Sequence, residues 1–245
     1  MMRQKSQNSG NGVSNLSSVT TSVFLQVRLD SSRLPRKALL KLSGLTSIEH
    51  AMRALDAVEA DHRMLVTTRD SLKALRPLAD KAGWGIFVGS KDDVLERYIL
   101  AARETGARRL VRATGDNPLV SAAMANAAIR LSEETGADFA GFREMPLGAG
   151  VEIVKVASLE EAFTEASDPY EREHVSPFLY RRPERYRIVV PPAPDGFRAP
   201  SARITLDTQE DYEFLKKLYS ELYNGSPLDL DVVIPYLTRS AVNAL

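Results

Sequence analysis

The chain reads Gln26-Val27-Arg28-Leu29-Asp30-Ser31-Ser32-Arg33-Leu34-Pro35-Arg36-Lys37 directly after its first apolar run. We predict a first strand over Ser22–Arg28 and a loop after it, in which four cations and two hydroxyls fall within ten residues. Guanidinium forks, an ammonium and hydroxyls bind phosphate oxygens, and parallel sheets bind phosphates at the carboxyl ends of their strands. The loop has neither a GxxxxGK[ST] nor a GxGxxG pattern. The residues alone therefore leave two equal alternatives, a triphosphate site and a solvated basic loop.

Short apolar runs alternate with amphipathic segments on both sides of this loop. Strands are predicted at Met64–Thr68, Gly85–Val88, Arg109–Ala113 and Asp138–Phe142. Helices are predicted at Gly44–Ala60, with a capping box of Thr46 and Glu49, at Ser71–Ala82, from Ser90 to a closing Gly106, and at Ser121–Thr135. Strands that alternate with helices predict an α/β fold with a three-layer, mostly parallel sheet.

The alternation becomes less regular after Phe142. We predict a strand at Val151–Val156, a helix from Ser158, a helical stretch at Asp168–Tyr180, an irregular segment at Pro183–Pro200, a late strand at Arg203–Leu206 and a final strong helix around Phe214–Leu222. The expected organisation is one domain over residues 23–245 with an insertion around 143–200. Residues 1–22, rich in Ser and Asn, are expected to be a disordered lead-in.

The amino-acid composition excludes several classes of site and of partner. The 245 residues include no cysteine, which excludes disulfides, cysteine nucleophiles and thiolate metal sites. Lys plus Arg and Asp plus Glu both number 32, so no basic surplus favours nucleic acid or an anionic membrane as a partner. No apolar run reaches membrane-spanning length, and the start has no signal-peptide pattern. We expect a cytoplasmic protein.

Two Asp residues follow predicted strands. Asp116 lies in Arg112-Ala113-Thr114-Gly115-Asp116-Asn117-Pro118-Leu119, and Asp207 lies in Thr205-Leu206-Asp207-Thr208-Gln209-Glu210-Asp211. Mg²⁺ takes one or two carboxylates together with phosphate oxygens, so either Asp suits a magnesium site. The structural alternatives are an Asx turn at Asp116 and a helix N-cap at Asp207 or Thr208.

Two further segments carry charge without a decided role. Gly89-Ser90-Lys91-Asp92-Asp93-Val94-Leu95-Glu96-Arg97 has the residues of an ordinary helix start. Glu171-Arg172-Glu173-His174-Val175-Ser176-Pro177, on its residues alone, is typical of a charged helix face.

Together these five segments resemble the sugar cytidylyltransferases, and most of all the spore-coat polysaccharide biosynthesis protein F type, which is related to the 3-deoxy-manno-octulosonate cytidylyltransferases. The resemblance implies a nucleotide-diphospho-sugar-transferase-like (GT-A, Rossmann-like) fold and transfer of CMP from CTP to a sugar or sugar acid. It implies that Arg28, Ser31, Ser32, Arg33 and Lys37 hold the CTP phosphates. It further implies that Asp116 and Asp207 bind Mg²⁺, that Lys37, Arg33 and Asp116 are catalytic, and that the protein is a homodimer. For the segment Glu171–Pro177 it leaves two roles open, acceptor contacts and a subunit interface.

Some positions depart from the family pattern. The family usually has Gly where this chain has Asp30 and Arg36, and we expect Arg36 to compensate the acid as a local pair. The family also carries more acidic residues where this chain reads Pro146-Leu147-Gly148-Ala149-Gly150-Val151-Glu152. This difference leaves the identity of the acceptor undetermined. Two alternatives remain: a glycosyltransferase, for which Asp229-Leu230-Asp231 is a weak D-x-D candidate, and a non-catalytic nucleotide-binding relative.

Overall fold

The computed structural model describes residues 19–242. The nine strands in chain order are β1 (Thr21–Gln26), β2 (Lys41–Leu42), β3 (Leu45–Thr46), β4 (His62–Thr67), β5 (Gly85–Val88), β6 (Arg109–Thr114), β7 (Phe139–Ala140), β8 (Glu152–Lys155) and β9 (Ile188–Val189). The α-helices are α1 (Ser47–Leu55), α2 (Arg69–Ala82), α3 (Val94–Thr105), α4 (Ala122–Thr135), α5 (Val156–Glu165), α6 (Pro169–His174), α7 (Pro177–Tyr180), α8 (Gln209–Leu222) and α9 (Leu230–Val242).

Seven of these strands form one sheet in the order β5-β4-β1-β6-β8-β7-β9, and β2 and β3 form a small antiparallel hairpin. Neighbouring strands in the large sheet are parallel, with one exception. Strand β8 runs antiparallel to both of its neighbours, β6 and β7. The predicted three-layer, mostly parallel α/β fold is therefore confirmed.

Side-chain alternation along β1 divides the core into two layers. Val23 and Leu25 pack with α1, α2 and α4 on one face, whereas Phe24 packs with α3, α5 and α7 on the other. A third apolar cluster joins α8 and α9 to Leu42, Ile204 and Leu206 beyond the sheet edge. This cluster fixes the late segment that carries Asp207 against the rest of the domain.

Several predicted boundaries are wrong for local reasons. The first strand begins at Thr21, so the lead-in predicted over residues 1–22 is too long by two residues, and residues 1–18 lie outside the described part. Helix α1 begins at Ser47 because β3 precedes it, and it ends at Leu55, five residues before the predicted end, although its Thr46–Glu49 capping box is confirmed. Asp93, not Ser90, caps α3. The Ser90 hydroxyl instead accepts a hydrogen bond from the Asp93 backbone N–H.

The later half departs more from the prediction. Arg203–Leu206 is no strand: its pairing is a single bridge between Leu147 and Arg203. The helical stretch Asp168–Tyr180 is split into α6 and α7 at Val175. The Pro183–Pro200 segment, predicted to be irregular, contributes the short edge strand β9. Within the described residues, no helix combines the length and apolar character needed to cross a membrane.

Candidate active site

A cleft of about 410 Å³ opens at the carboxyl ends of β1 and β6. This is the end of a parallel sheet at which α/β folds place their ligands. All seven site residues expected from the sequence line it: Arg28, Ser31, Ser32, Arg33, Lys37, Asp116 and Asp207. The structure thus brings together groups that lie as much as 179 positions apart in the chain (207 − 28).

Lys37 lies at the centre of the cleft between the two carboxylates. Its Nζ donates to Asp116 Oδ2 at 3.1 Å and to Asp207 Oδ1 at 2.7 Å. The Lys37 and Asp207 side chains are 15% and 16% exposed, so both ions are largely withdrawn from water. A cation held by two acids at this depth marks a site that concentrates negative charge for a positively charged ligand.

Asp116 is placed by the close packing of the residue before it. The Gly115 N–H donates to the Gln26 carbonyl at 2.7 Å, which ties the turn after β6 to the end of β1. A Cβ added at Gly115 would stand 2.8 Å from the Val27 Cβ and 3.0 Å from the Ile48 Cδ1. Only glycine fits this approach, so the turn that presents Asp116 depends on it.

Asp207 is positioned against Asp116 through the backbone. The Leu206 N–H donates to the Asp116 carbonyl at 2.7 Å. Arg203 then holds the far oxygen of the carboxylate, with its guanidinium 2.7 Å from Asp207 Oδ2. Thr208 caps α8 in a capping box with Asp211. Thr208, and not Asp207, is therefore the N-cap of α8. The Asp207 carboxylate lines the cleft instead.

Asp207 and its neighbour Asp211 are held ionised. Burial acts to raise the pKa of Asp207, but hydrogen bonds from Lys37 and Arg203 and the charge of Arg33 outweigh it and lower the pKa. Asp211 also has burial acting against hydrogen bonds. Arg203 and two backbone N–H groups donate to its carboxylate, and they lower its pKa to about 2. An ionised Asp207 at neutral pH is the form that a divalent cation requires.

The carboxylate pair fits a magnesium ion. Asp116 Oδ1 is buried, and no described residue donates a hydrogen bond to it. A buried carboxylate oxygen without a donor is costly unless a cation or water satisfies it. No group of three or more acidic or imidazole side chains suited to a metal occurs among residues 19–242. Two carboxylates still suffice, because Mg²⁺ takes its remaining ligands from phosphate and water.

The loop cations differ from Lys37 in their freedom. The side chains of Arg28 and Arg33 are 44% and 66% exposed. Arg33 lies 3.4 Å from Asp207 Oδ1, and Arg28 lies 3.9 Å from Glu173 Oε1. Both guanidinium groups line the open side of the cleft, and the one largely buried partner that either of them has among the described residues is Asp207, which Lys37 and Arg203 also contact.

The expected pairing of Asp30 with Arg36 is wrong. Asp30 pairs with Lys91 at 3.0 Å and with Arg28 at 3.5 Å, and the contact with Lys91 is the first cause of its lowered pKa. Arg36 has a left-handed backbone, with φ of 56°, which turns it into the short 3₁₀ turn that begins at Lys37. The family glycine at this position has a direct explanation, since glycine adopts positive φ without strain.

The Glu171–His174 segment separates into buried and cleft-facing residues. Glu171 is buried and accepts a hydrogen bond from Arg182 at 2.8 Å. Arg172 donates to the Asp93 carboxylate at the start of α3. Glu173 and His174 line the cleft. The sequence signalled this segment but did not show which of its residues reach the site.

Arg112 is a cleft residue that sequence reasoning did not select. It donates to Glu152 Oε2 at 2.8 Å from a largely buried position beside Tyr98. Burial raises the pKa of Tyr98 to about 12. An arginine between Val111 and Ala113, in the middle of strand β6, was the available signal.

The weak D-x-D candidate has a structural role. Asp229 Oδ1 accepts from the Ser121 hydroxyl at 2.5 Å, and its other oxygen accepts from the Ala123 N–H at 3.3 Å. The carboxylate therefore ties the start of α9 to the start of α4. It is absent from the cleft lining, which removes the observation that favoured a glycosyltransferase.

The chain was compared with known protein families and with individual known proteins. A family model described as cytidylyltransferase matches residues 23–230. The spore coat polysaccharide biosynthesis protein SpsF of Bacillus subtilis is 30% identical over 224 residues, which cover 89% of this chain and 93% of that protein. An uncharacterized protein of Methanocaldococcus jannaschii is also 30% identical, over 89% of this chain and 90% of its own length.

Solved structures agree with this match. A cytidylyltransferase from Leptospira borgpetersenii superposes with a TM-score of 0.84 at 25% identity, over 92% of this chain and 96% of that one. A CMP:2-keto-3-deoxy-manno-octonic acid synthetase complexed with CTP shares the fold, with a TM-score of 0.63 at 13% identity over 82% of this chain and 99% of that one. With a family match over most of the described residues, the chain belongs to the cytidylyltransferase family, as its sequence motifs predicted.

Proposed function

We propose that this cytidylyltransferase transfers CMP from CTP to a hydroxyl of a sugar or sugar acid, releases pyrophosphate, and requires Mg²⁺. The observation that carries the proposal is the meeting of Lys37, Asp116 and Asp207 beside a loop with two exposed arginines, Arg28 and Arg33. The name of the Bacillus subtilis relative supports a role in the synthesis of a surface polysaccharide. The CTP complex of the 2-keto-3-deoxy-manno-octonic acid synthetase supports CTP as the donor.

The reaction forms one bond and breaks another at the α-phosphorus of CTP. The acceptor oxygen attacks the α-phosphorus, and the electron pair of the bond to the β-phosphate leaves with pyrophosphate. The acceptor hydroxyl gives up its proton to solvent. Arg28, Arg33 and Lys37 neutralise the charge that grows on the leaving pyrophosphate, since guanidinium and ammonium donors stabilise phosphate oxygens most when their charge increases. Positioning and electrostatics account for most of the catalysis in such transfers.

Asp116 and Asp207 would hold the magnesium ion, and the unsatisfied Asp116 Oδ1 is the atom that supports this assignment most directly. When bound, Mg²⁺ supplies a Lewis acid that withdraws charge from phosphate oxygens. Arg203 keeps the Asp207 carboxylate oriented by occupying its outer oxygen. Lys37 separates the two acids in the ligand-free protein, where their charges would otherwise repel.

The proposal is tested by melting the protein with CTP, ATP, GTP, UTP and CMP, each with and without Mg²⁺. A ligand that binds only the folded state at a hundredfold excess over Kd stabilises it by about 2.7 kcal/mol. For a chain of this size that energy corresponds to a Tm rise of roughly 5–10 °C. We expect this rise for CTP with Mg²⁺ and a much smaller one for the other triphosphates.

A Lys37→Ala variant and a matched Lys155→Ala control connect the binding to catalysis. Lys155 is a half-exposed lysine on β8 that pairs with Asp138, outside the cleft. We expect Lys37→Ala to abolish pyrophosphate release in an acceptor screen, with Lys155→Ala unaffected. No stabilisation by any triphosphate would make the protein a non-catalytic relative and would end the proposal.

A further inference from the structure

The backbone between α6 and α7 contains a strained three-residue turn. Val175 has φ of 73° and ψ of −62°, and the Ser176 N–H donates to the His174 carbonyl at 2.9 Å. These are the angles and the hydrogen bond of the rare γ-turn. A β-branched residue at positive φ is a genuine outlier, and such residues persist only where the surrounding structure holds them. Strain of this kind concentrates at functional sites.

The surrounding structure holds this turn from both sides. The Val175 side chain is fully buried in the apolar layer formed with α3 and α5. The Ser176 hydroxyl donates to Glu152 Oε2 at 2.6 Å, and Arg112 donates to the same oxygen at 2.8 Å. A partly buried ion pair of the sheet therefore anchors the residue that follows the strained one.

The turn presents two side chains to the cleft. Glu173 and His174 precede Val175 and line the same cleft as the carboxylate pair. The Glu173 side chain is 55% exposed, and its one ion-pair partner among the described residues is Arg28 at 3.9 Å. Arg172, the residue before them, is fixed to Asp93 on α3. The His174 ring packs against the Tyr170 ring, with the ring centroids 4.3 Å apart. The segment is thus fixed at its base, and the two groups that face the cleft are both exposed.

The chemistry of this wall differs from that of the phosphate loop. A carboxylate accepts hydrogen bonds, and an imidazole donates and accepts them, so the pair can bind neighbouring hydroxyl groups. Arg28, the cation that pairs with Glu173 at 3.9 Å, is assigned to CTP by the proposed function, and Glu152 already neutralises Arg112. The wall therefore offers sites for hydroxyl groups and no unpaired cation for a further phosphate.

We propose that Glu173 and His174 bind hydroxyl groups of the sugar acceptor, and that the strained turn at Val175 positions them. The inference rests on the proposed function, because it assigns the phosphate loop to CTP and leaves this wall to the acceptor. The recognised chemistry is a pair of sugar hydroxyls, which neutral sugars, amino sugars and sugar acids all carry.

The three histidines of the chain make this testable by NMR. His50 is buried against the Leu42 carbonyl, and His62 is exposed at the start of β4, so both serve as internal references for His174. The protein is loaded with Mg²⁺ and a CTP analogue whose α–β bridge is a methylene group, and hexoses, aminohexoses and hexuronates are then titrated. A His174→Asn variant assigns the His174 ring signals. We expect saturable movement of those signals with at least one sugar class, dependent on the nucleotide, and none at His62.

Variants separate acceptor binding from nucleotide binding. Glu173→Gln should weaken the sugar response at least tenfold and leave the calorimetric affinity for the CTP analogue within twofold. Glu104→Gln, at the exposed end of α3, should change neither. Ser176→Ala should weaken the sugar response by a smaller factor, because it frees the turn from Glu152.

Two results would overturn the proposal. A tenfold loss of nucleotide affinity in Glu173→Gln would assign the wall to CTP. Failure of every sugar class to move the His174 signals, in protein shown by calorimetry to hold the nucleotide, would mean that the wall binds no sugar. Absence of nucleotide binding in the wild type is a separate outcome, which overturns the proposed function and this inference with it.

Discussion

The two sides of the cleft are built differently. The carboxylate side is fixed: Asp116 follows a glycine packed against Val27, and its carbonyl accepts from Leu206 beside Asp207. The loop side is free, with Arg33 two-thirds exposed and paired with Asp207 across 3.4 Å. A divalent cation needs ligands at set positions, whereas a flexible polyphosphate tolerates donors that close around it. The difference therefore separates residues that must be pre-positioned from residues that need only be present.

The largest effect is expected from neutralising the fixed side. Asp116→Asn keeps the shape of the side chain but removes a charged ligand for the metal and a partner of Lys37. We expect kcat/KM to fall by at least about 10²–10³, the cost of one well-placed electrostatic contact in a transition state. Pyrophosphate release and the circular dichroism spectrum measure activity and folding together.

Asp195→Asn is the matched control for that change. Asp195 is 94% exposed and lies outside the cleft. We expect its activity to equal that of the wild type. An Asp116→Asn enzyme with more than a tenth of normal activity would contradict the role of Asp116.

A second variant displaces Asp116 on the carboxylate side without changing the charge of the site. Gly115→Ala places a methyl group 2.8 Å from the Val27 Cβ, so the turn that carries Asp116 must shift. Overpacking of this kind costs about 1–3 kcal/mol of stability. We expect a fall in activity of roughly tenfold to a hundredfold, because small displacements of catalytic groups are costly. Gly196→Ala, where a Cβ meets nothing within 4 Å, is the control for stability and activity. Equal loss in both variants would show that the packing at Gly115 is unimportant.

On the free side we expect a binding effect and no structural one. Arg33→Ala removes an exposed guanidinium that contacts no buried partner other than Asp207. The KM for CTP should rise about tenfold, in line with the loss of one charge-assisted hydrogen bond, and the Tm should change little. Arg130→Ala, an exposed arginine of α4, is the control. A loss of stability as large as that of Gly115→Ala would contradict the distinction between the two sides.

The sequence predicted the fixed side in part. The alternation of strands and helices predicts a parallel sheet, which places Asp116 at the carboxyl edge beside the basic loop, although it does not predict that β1 and β6 are neighbours. Asp207 was expected at the site from the family resemblance, but how it gets there could not be predicted, because Arg203–Leu206 is held by one bridge to Leu147 and by the carbonyl of Asp116. Such contacts between distant segments leave no periodic pattern in the sequence.

The error at Val175 has a different cause. Pro177 signals a helix break, since proline cannot continue a helix, but the predicted helix ran past it to Tyr180. What gives no sequence signal is the positive φ of Val175, which is held by the burial of the valine and by the bond from Ser176 to Glu152. Sequence patterns therefore identified the strands that carry the site and the types of residue in it. Long-range contacts determined how Glu173, His174 and Asp207 reach the cleft.

The smallest effect is expected at Arg36, which belongs to the loop but not to the cleft lining. Its φ of 56° costs an ordinary residue about 1–2 kcal/mol, whereas glycine adopts it freely and loses about 0.5–1 kcal/mol through the entropy of the unfolded chain. Arg36→Gly should therefore leave the Tm nearly unchanged or slightly raised, with the KM for CTP unaltered. Arg36→Ala retains the backbone strain and should melt a few degrees below Arg36→Gly. If the alanine variant proved as stable as the glycine variant, the left-handed turn before Lys37 would not be a strained feature of the free side, and the preference for glycine there would need another cause.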